Sequence, residues 1–527
     1  MLLDDNYFFT FPYRTRGLED PWNFDPLEDK SWPKRQYEET RVHGHDTPRD
    51  VKIVWEINRF KDLPALGVAA YVTGDIRYAD EVHHRIHSWI VCNPFGNTVN
   101  WSSPLEIAIR GISWIATLRL LHQAGFKVQE DKAIQQSLWQ HATYLNASLS
   151  IDKILRSNHL IGETAGLYIL SSLLDFPEAA AFRERAKNIH SNAMLEQTYA
   201  DGVSREASGW YHGFVTDFAE LVSRTAHSNG DVMTDRFNKR LEQMIVYRNS
   251  IFATDNGIVK YGDFDNGRAL ALPGEWLDTI VGISPFATNV RKAIFESAEH
   301  ITAKIEKNYF FARAGEFGWG GDGFSSHAHD DLLCPVVYLD GNPILADAGT
   351  YVYVGDPEMR DRFRDARSHN NIIIGSSTGT LMKPYFGWSI TRKPAALGSH
   401  AKEEKRFTAV CSYGEWKRKH QRTFVLDDAG FTMHDDLHLQ HEQTVEWHFH
   451  FHPRWRLKQR DACTFEIGDF RDQHYRFELS AGVGEFELAE YEYSASYMER
   501  SKAQKLILRR SIQPENERYT FAITRTS

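Results

Sequence analysis

Apolar residues recur at three- and four-residue steps through the first half of the chain, then give way to short alternating runs. DVKIVWEINRFKDLPALGVAAYVTGD opens the helical period, with Pro64 marking a break or a new first turn. YADEVHHRIHSWIV, PLEIAIRGISWIATLRLLHQAG, KAIQQSLWQHATYLNASL and HLIGETAGLYILSSLL continue it, separated by short links containing Gly, Pro or Asp. YHGFVTDFAELVSRTAHSNG and RFNKRLEQMIVYRNSIFA keep the same register. Sequential helices with short turns predict hairpins packed side by side. The lack of a fixed-period repeat favours an irregular α/α toroid over an open solenoid. From about residue 308 the runs shorten: YFFARAG, PVVYLDGNPILAD, NNIIIG, RFTAVCSYG, QRTFVLDD, GFTMHDDLHL, TVEWHFHFH, YRFELS and KAQKLILRRSI, broken by Gly, Asp and Asn. These predict antiparallel sheets packed as a sandwich, with LDGN the strongest hairpin signal.

The expected organisation is therefore multidomain α+β. Residues 1–50 form an irregular N-terminal extension, 51–305 an incomplete α/α toroid, and 306–527 an antiparallel β-sandwich domain carrying a candidate metal site. A length of 527 residues agrees with more than one core, and 42% apolar residues with 14 tryptophans imply folded material throughout. The net charge of −10 is mild for this length and argues against nucleic acid as a partner. No leader-like basic and apolar start is present, nor a run of about 18 apolar residues, so no membrane partner is expected. The chain as written reads as cytoplasmic, or as periplasmic or secreted if it is a trimmed mature form. Cys92, Cys334, Cys411 and Cys463 are scattered, with neither metal-type spacing nor a disulfide framework. Homo-oligomer formation is left open.

The densest chemistry lies in SSHAHDD, followed by Asp347 and then His369-Asn370. On an extended strand His327 and His329 would leave one face and share a site. Two nitrogens and a carboxylate from His329, Asp347 and His369 suit zinc with a fourth position open; packed, satisfied histidines are the plain alternative. In the helical half, RSNHLIGETAGLYIL holds Asn158 and His159 at a helix start, with Glu163 four residues after His159 on the same face. DGVSREASGWYHGF holds Arg205, Glu206, Tyr211 and His212. Arg110, four residues after Glu106 in an apolar helix, must be paired if buried, either with Glu106 or with an anionic substrate. In WHFHFHP, alternation predicts a buried face of Trp447, Phe449 and Phe451 and a more polar histidine ladder of His448, His450 and His452. GEFGWGGDGF lacks the context of a phosphate loop.

Taken in order, VWEINRF, the NPFGNTVNWSSPLEIAIR stretch, SNHLIGETAGLYIL, DGVSREASGWYH, SSHAHDDLL, ILADAGTYVY and SHNNIIIG resemble the heparinase II/III superfamily of polysaccharide lyases. The resemblance covers roughly residues 50–375. It implies the toroid and sheet domains already read from the pattern, and β-elimination on a uronic-acid-containing polysaccharide or glycosaminoglycan. By the same resemblance His329, Asp347 and His369 are ligands of one divalent ion, zinc by preference, and Asn158, His159, Tyr211 and His327 are catalytic. Arg110, Glu163 and Arg205 are assigned to substrate binding, and Tyr351 or Tyr353 stands near the place of a β-domain tyrosine. Asn371 stands where the family usually has Thr.

The residue types suit that chemistry. Hydrogen bonds from Asn158 and His159 would stabilise charge on the C6 carboxylate as C5 loses its proton. Tyr211, with its pKa lowered by cationic neighbours, would take the C5 proton and protonate O4; His159 or His327 is the base where the two lie on opposite sides of the ring. The rival readings are a toroid-type glycoside hydrolase using Glu163, Glu206 or Asp217, and a noncatalytic carbohydrate-binding protein.

Overall fold

The computed structural model describes residues 6–8, 11–13, 17–36, 50–151, 157–254, 257–272, 289–319, 325–375, 378, 380–384, 386–390, 394–415, 418–469, 474–480, 486–514 and 516–526. Two compact units are present. The first comprises residues 1–197, 213–242 and 267–287; the second comprises 198–212, 243–266 and 288–527.

Helices in the first unit cover the apolar-periodic runs named above, and one further helix, over residues 179–196, lies in a stretch that none of those runs included. They are α1 (Val51–Asn58), α2 (Leu63–Thr73), α3 (Ile76–Cys92), α4 (Pro104–Gln123), α5 (Lys132–Ser148), α6 (Asn158–Leu173) and α7 (Ala179–Glu196). α8 (Gly209–Ser228) and α9 (Asp235–Ser250) follow, and the division between the units cuts through both. Pro64 sits in the first turn of α2, where its missing N–H is harmless. Side chains of Asp50, Asp75, Asp131 and Ser157 cap α1, α3, α5 and α6 by accepting first-turn amides. The central helices α4 and α6 are buried on nearly every face and pack against each other. Gly166 makes that approach feasible, since a Cβ there would stand 2.5 Å from the Cβ of Ala108. The described residues 17–36 of the N-terminal extension are anchored on this unit: Trp22 and Trp32 are buried, and Trp22 packs on Phe60 at 4.7 Å.

The second unit is built on antiparallel sheets. An eight-stranded sheet runs in the order Ala396–Glu403, Arg406–Glu415, Arg418–Asp427, Gly430–Leu439, Asn516–Arg525, His474–Ser480, Thr464–Gly468 and Arg456–Gln459. A four-stranded sheet, Ile372–Ile374, Gln443–His450, Ser501–Ile512 and Phe486–Tyr493, packs over it through Trp447, Phe449, Leu506, Phe477 and Phe521. A five-stranded sheet includes the hairpin Val336–Leu339 and Asn342–Leu345. Its turn residues Asp340 and Gly341 have φ of 52° and 78°, the left-handed pair that a two-residue hairpin turn demands.

Three expectations change. A boundary at 305/306 would fall in the turn between His300–Ile305 and Asn308–Arg313, so the sheet begins earlier. The second unit also recruits helical-half residues, because Val203, Tyr247, Ile251 and Tyr261 share a core with Phe295, Phe311 and Val336. His448 and His450 are buried like Trp447, Phe449 and Phe451, so both faces of this strand are covered and no exposed ladder forms there.

Burial pushes His190 down to about 4, and His212 and His300 down to about 3. In the unfolded chain these rings titrate near 6.5 (about the ordinary value), so between there and about 4 the unfolded state binds more protons. The stability they contribute is complete above pH ~6.5 and drains as pH falls through that window. Melting temperature is therefore expected to drop steadily from pH 7 to 5 in a calorimetric series, and His190→Gln is expected to flatten the slope.

Candidate active site

Within the second unit, a single buried carboxylate organises the site. Asp263 accepts from His327 Nδ1 at 2.9 Å through Oδ2 and from His329 Nε2 at 2.9 Å through Oδ1. The Arg360 guanidinium, on α10 (Pro357–Arg364), grips both oxygens, with Nη2 at 2.8 Å from Oδ2. Burial opposes the charge of Asp263, but Arg360 and the two histidines outweigh it and hold the carboxyl well below the usual range. The backbone is tied as firmly: Asp263 N–H donates to His327 O at 2.8 Å, and Ser208 Oγ donates to Asp263 O at 2.6 Å. Gly262 precedes it with φ of 59°, where a Cβ would meet Ala207 O at 2.2 Å and His327 O at 2.7 Å. Only glycine fits there.

Ser208 also accepts from Tyr211 N–H at 3.1 Å, linking the first turn of α8 to the Asp263 loop. The Tyr211 ring stacks on His327, centroids 3.6 Å apart and planes 17° from parallel. Its hydroxyl donates to Asp265 Oδ2 at 2.9 Å and meets the Tyr353 hydroxyl at 3.1 Å. Phe386 borders both His327 and Tyr353. Burial, then the charges of Asp265 and Asp263, push the Tyr211 phenol well above its ordinary value. This reverses the expected lowering: the hydroxyl is bonded to the Asp265 carboxylate, and Arg360 is already spent on Asp263.

The histidine pair does share a partner, but not by leaving one face of a strand; residues 326–331 form an irregular loop. His329 faces Asp347 and His369, and a donor atom from each lies within 4.8 Å of the others. Asp347 follows Asn342–Leu345, and His369 precedes Ile372–Ile374. His369 Nδ1 lies 2.7 Å from Asp347 Oδ2. His329 Nδ1 and His369 Nε2 are buried with no hydrogen-bond partner among the described residues. Two buried lone nitrogens beside a carboxylate fit a bound cation, because such atoms are otherwise costly to enclose. Asn370 and Asn371 support the cluster. Asn370 Nδ2 donates to Pro335 O and Ala346 O, and Asn371 Nδ2 to Asp330 O at 2.8 Å, giving the atypical Asn a bond across the loop.

The remaining candidates lie on other elements. Asn158 is the first residue of α6, buried, behind the cap Ser157, with His159 half-buried beside it. Glu163 accepts both the N–H and the Oγ of Ser150 at 2.7 Å, so it anchors the segment ahead of α6. Arg110 is fully enclosed and does not pair with Glu106, whose carboxylate binds Arg59 at 2.6 and 2.7 Å. Instead it donates to His141 Nε2 at 2.9 Å and lies 4.1 Å from the Trp89 ring centroid, with burial lowering its pKa to about 9. Such a core cation does not meet the substrate-binding expectation. Arg205 is half-buried over the Tyr199 ring at 4.2 Å. The second half of GEFGWGGDGF, residues 320–324, lies outside the described residues.

Asp263, Asp265 and Arg360 escaped the sequence reading. The signal available was YGDFDNG, two alternate carboxylates beside a glycine in a run too short for an element.

With this geometry in place, the comparisons are decisive. Residues 8–271 match the family model described as heparinase II/III N-terminus, and residues 295–522 match heparinase II/III-like, C-terminal. The chain belongs to the heparinase II/III family. Among curated relatives of this heparinase II/III chain, a heparin-sulfate lyase of Pedobacter heparinus is 23% identical over 363 residues, covering 64% of this chain and 54% of that one. The match thus spans about half of that relative. A heparin-sulfate lyase of Bacteroides stercoris is 21% identical over 505 residues, covering 84% and 71%. A crystal structure of heparinase III superposes with a TM-score of 0.71 at 15% identity, over 96% of this chain and 82% of that one. The heparan sulfate lyase structure from Pedobacter heparinus gives 0.62 at 17% identity, over 92% and 78%. These likenesses establish an α/α toroid with a β-sandwich as the fold.

For this family member, His369→Gln is expected to remove one equivalent of bound divalent cation, measured by elemental mass spectrometry after reloading chelated protein. Unchanged metal content would rule the cluster out as a ligand set.

Proposed function

We propose that this chain is a polysaccharide lyase that cleaves a uronic-acid-containing polysaccharide of the glycosaminoglycan class by β-elimination. The observation that carries the reading is the stacked Tyr211–His327 pair, held by Asp263 and Asp265. Asp263 accepts a hydrogen bond from His327 Nδ1–H, which leaves Nε2 as the basic nitrogen. The phenol, kept protonated by its surroundings, is a donor at neutral pH.

In this mechanism His327 Nε2 takes the C5 proton, the C5 electron pair forms the C4–C5 double bond, and the C4–O4 bond breaks. Tyr211 gives its proton to O4. The imidazolium and phenolate that result are adjacent, so one proton passing between them restores both. Stacking also puts acid and base on one side of any sugar they touch. This suits a uronate whose C5 hydrogen and O4 lie on the same face, as in glucuronate.

Asn158 and His159 are assigned the carboxylate on the strength of the SNHLIGETAGLYIL motif, where their hydrogen bonds would strengthen as charge develops. His329, Asp347 and His369 would hold zinc, whose charge would fix His329 and thereby the orientation of Asp263 and His327. The hydrolase alternative is weakened because Glu163 is committed to Ser150.

The reading is tested by incubating uronate polysaccharides with the enzyme and following the ultraviolet absorbance of unsaturated ends. Glucuronate-rich chains are expected to react faster than iduronate-rich ones. Reducing ends appearing without absorbance would replace lyase by hydrolase. Tyr211→Phe is expected to lower kcat by about 10²-fold or more with little change in melting temperature. Near-normal turnover in that variant would remove Tyr211 from proton transfer.

A further inference from the structure

On the first unit, α3 and the start of α5 bring together three donor groups that the proposed reaction leaves unused. His83 and His87 are one turn apart on α3, so their imidazoles leave the same face; the ring centroids are 4.6 Å apart. Asp131 is the N-cap of α5. Its Oδ1 accepts from Ala133 N–H at 2.8 Å and Ile134 N–H at 3.2 Å, which fixes the plane of the carboxylate. That leaves Oδ2 facing outward, 3.0 Å from His83 Nε2 and 2.9 Å from His87 Nε2.

Two imidazole nitrogens and one oxygen converge at these distances when they surround a shared ion. Ligands about 2.0–2.1 Å from a zinc-class ion stand roughly 3.0–3.4 Å from one another. The three donor atoms all lie within 4.8 Å of each other. The side chains are 43%, 38% and 25% exposed, so an ion has a path in and water a place in the open coordination position. The donor set also discriminates. Two neutral imidazoles with a single carboxylate suit zinc, nickel or copper and offer too little oxygen for calcium or magnesium. The cap amides do for Asp131 what outer hydrogen bonds do for ligands in established metal sites: they hold the carboxylate still before the ion arrives.

We propose that His83, His87 and Asp131 form a second divalent transition-metal site, separate from the His329 cluster, that staples α3 to the start of α5. The plain competing account is a hydrogen-bonded cap in which both histidines serve only Asp131. The two accounts differ in metal stoichiometry, because the His329 cluster is intact in every variant used.

The full-length protein is stripped with a chelator, reloaded with Zn²⁺ and freed of excess before metal is counted by elemental mass spectrometry. The His83→Gln/His87→Gln variant is expected to hold one equivalent less than the parent. It is also expected to show a smaller Zn²⁺-dependent rise in melting temperature. Asp131→Asn keeps a capping oxygen while losing the carboxylate charge. It is expected to melt like the parent without metal, and to bind the surface Zn²⁺ about tenfold or more weakly by calorimetric titration. Equal metal content and equal thermal shift in parent and histidine variant would overturn the site. So would unchanged Zn²⁺ affinity in Asp131→Asn.

Discussion

One buried carboxylate with four donors on it is the constraint from which the active site follows. Asp263 cannot be enclosed as an anion without compensation, and Arg360, His327 and His329 supply it. Because its two oxygens serve different histidines, the orientation of the proposed base and that of a cation ligand are set by the same group. Tyr211 is then located by stacking on one of those histidines and by the Ser208 link to the Asp263 backbone. Remove the negative charge and Arg360 is stranded, both imidazoles lose their tautomeric bias, and the tyrosine loses its platform.

The environment of Tyr211 determines how the chemistry divides. A phenol bonded to the Asp265 carboxylate and near the charge of Asp263 keeps its proton, which is why the proposal gives it the part of the acid. The imidazole, oriented by an anion, is the natural base. The proposed division of labour thus rests on where Arg360 spends its charge, and it differs from what residue types alone suggested.

Much of the fold was legible because periodicity is a local property. Pro64, the LDGN turn and the apolar alternation around Trp447 each carry their meaning within a few residues. The candidate metal cluster was legible for a related reason: His329, Asp347 and His369 each stand out locally as metal-ligating residue types. What stayed hidden was pairing across long separations. Glu106 and Arg110 sit one turn apart, yet each finds a better partner: Arg59 for one, His141 and tryptophan faces for the other. Asp263 lies 64 residues from His327 and 97 from Arg360, in a segment with no periodicity to flag it. The stretch from 198 to 266 joins the sheet domain in part because its tyrosines and valines pack there, a choice no linear pattern records.

The tight passage of Gly262 between two carbonyl groups has an implication for how chains with this loop diversify. A loop fixed by space at one position and by charge at the next cannot drift, so it behaves as a keel. Variation must then be acquired at its periphery, from side chains such as Phe386, which borders His327 and Tyr353 without being bonded to the loop.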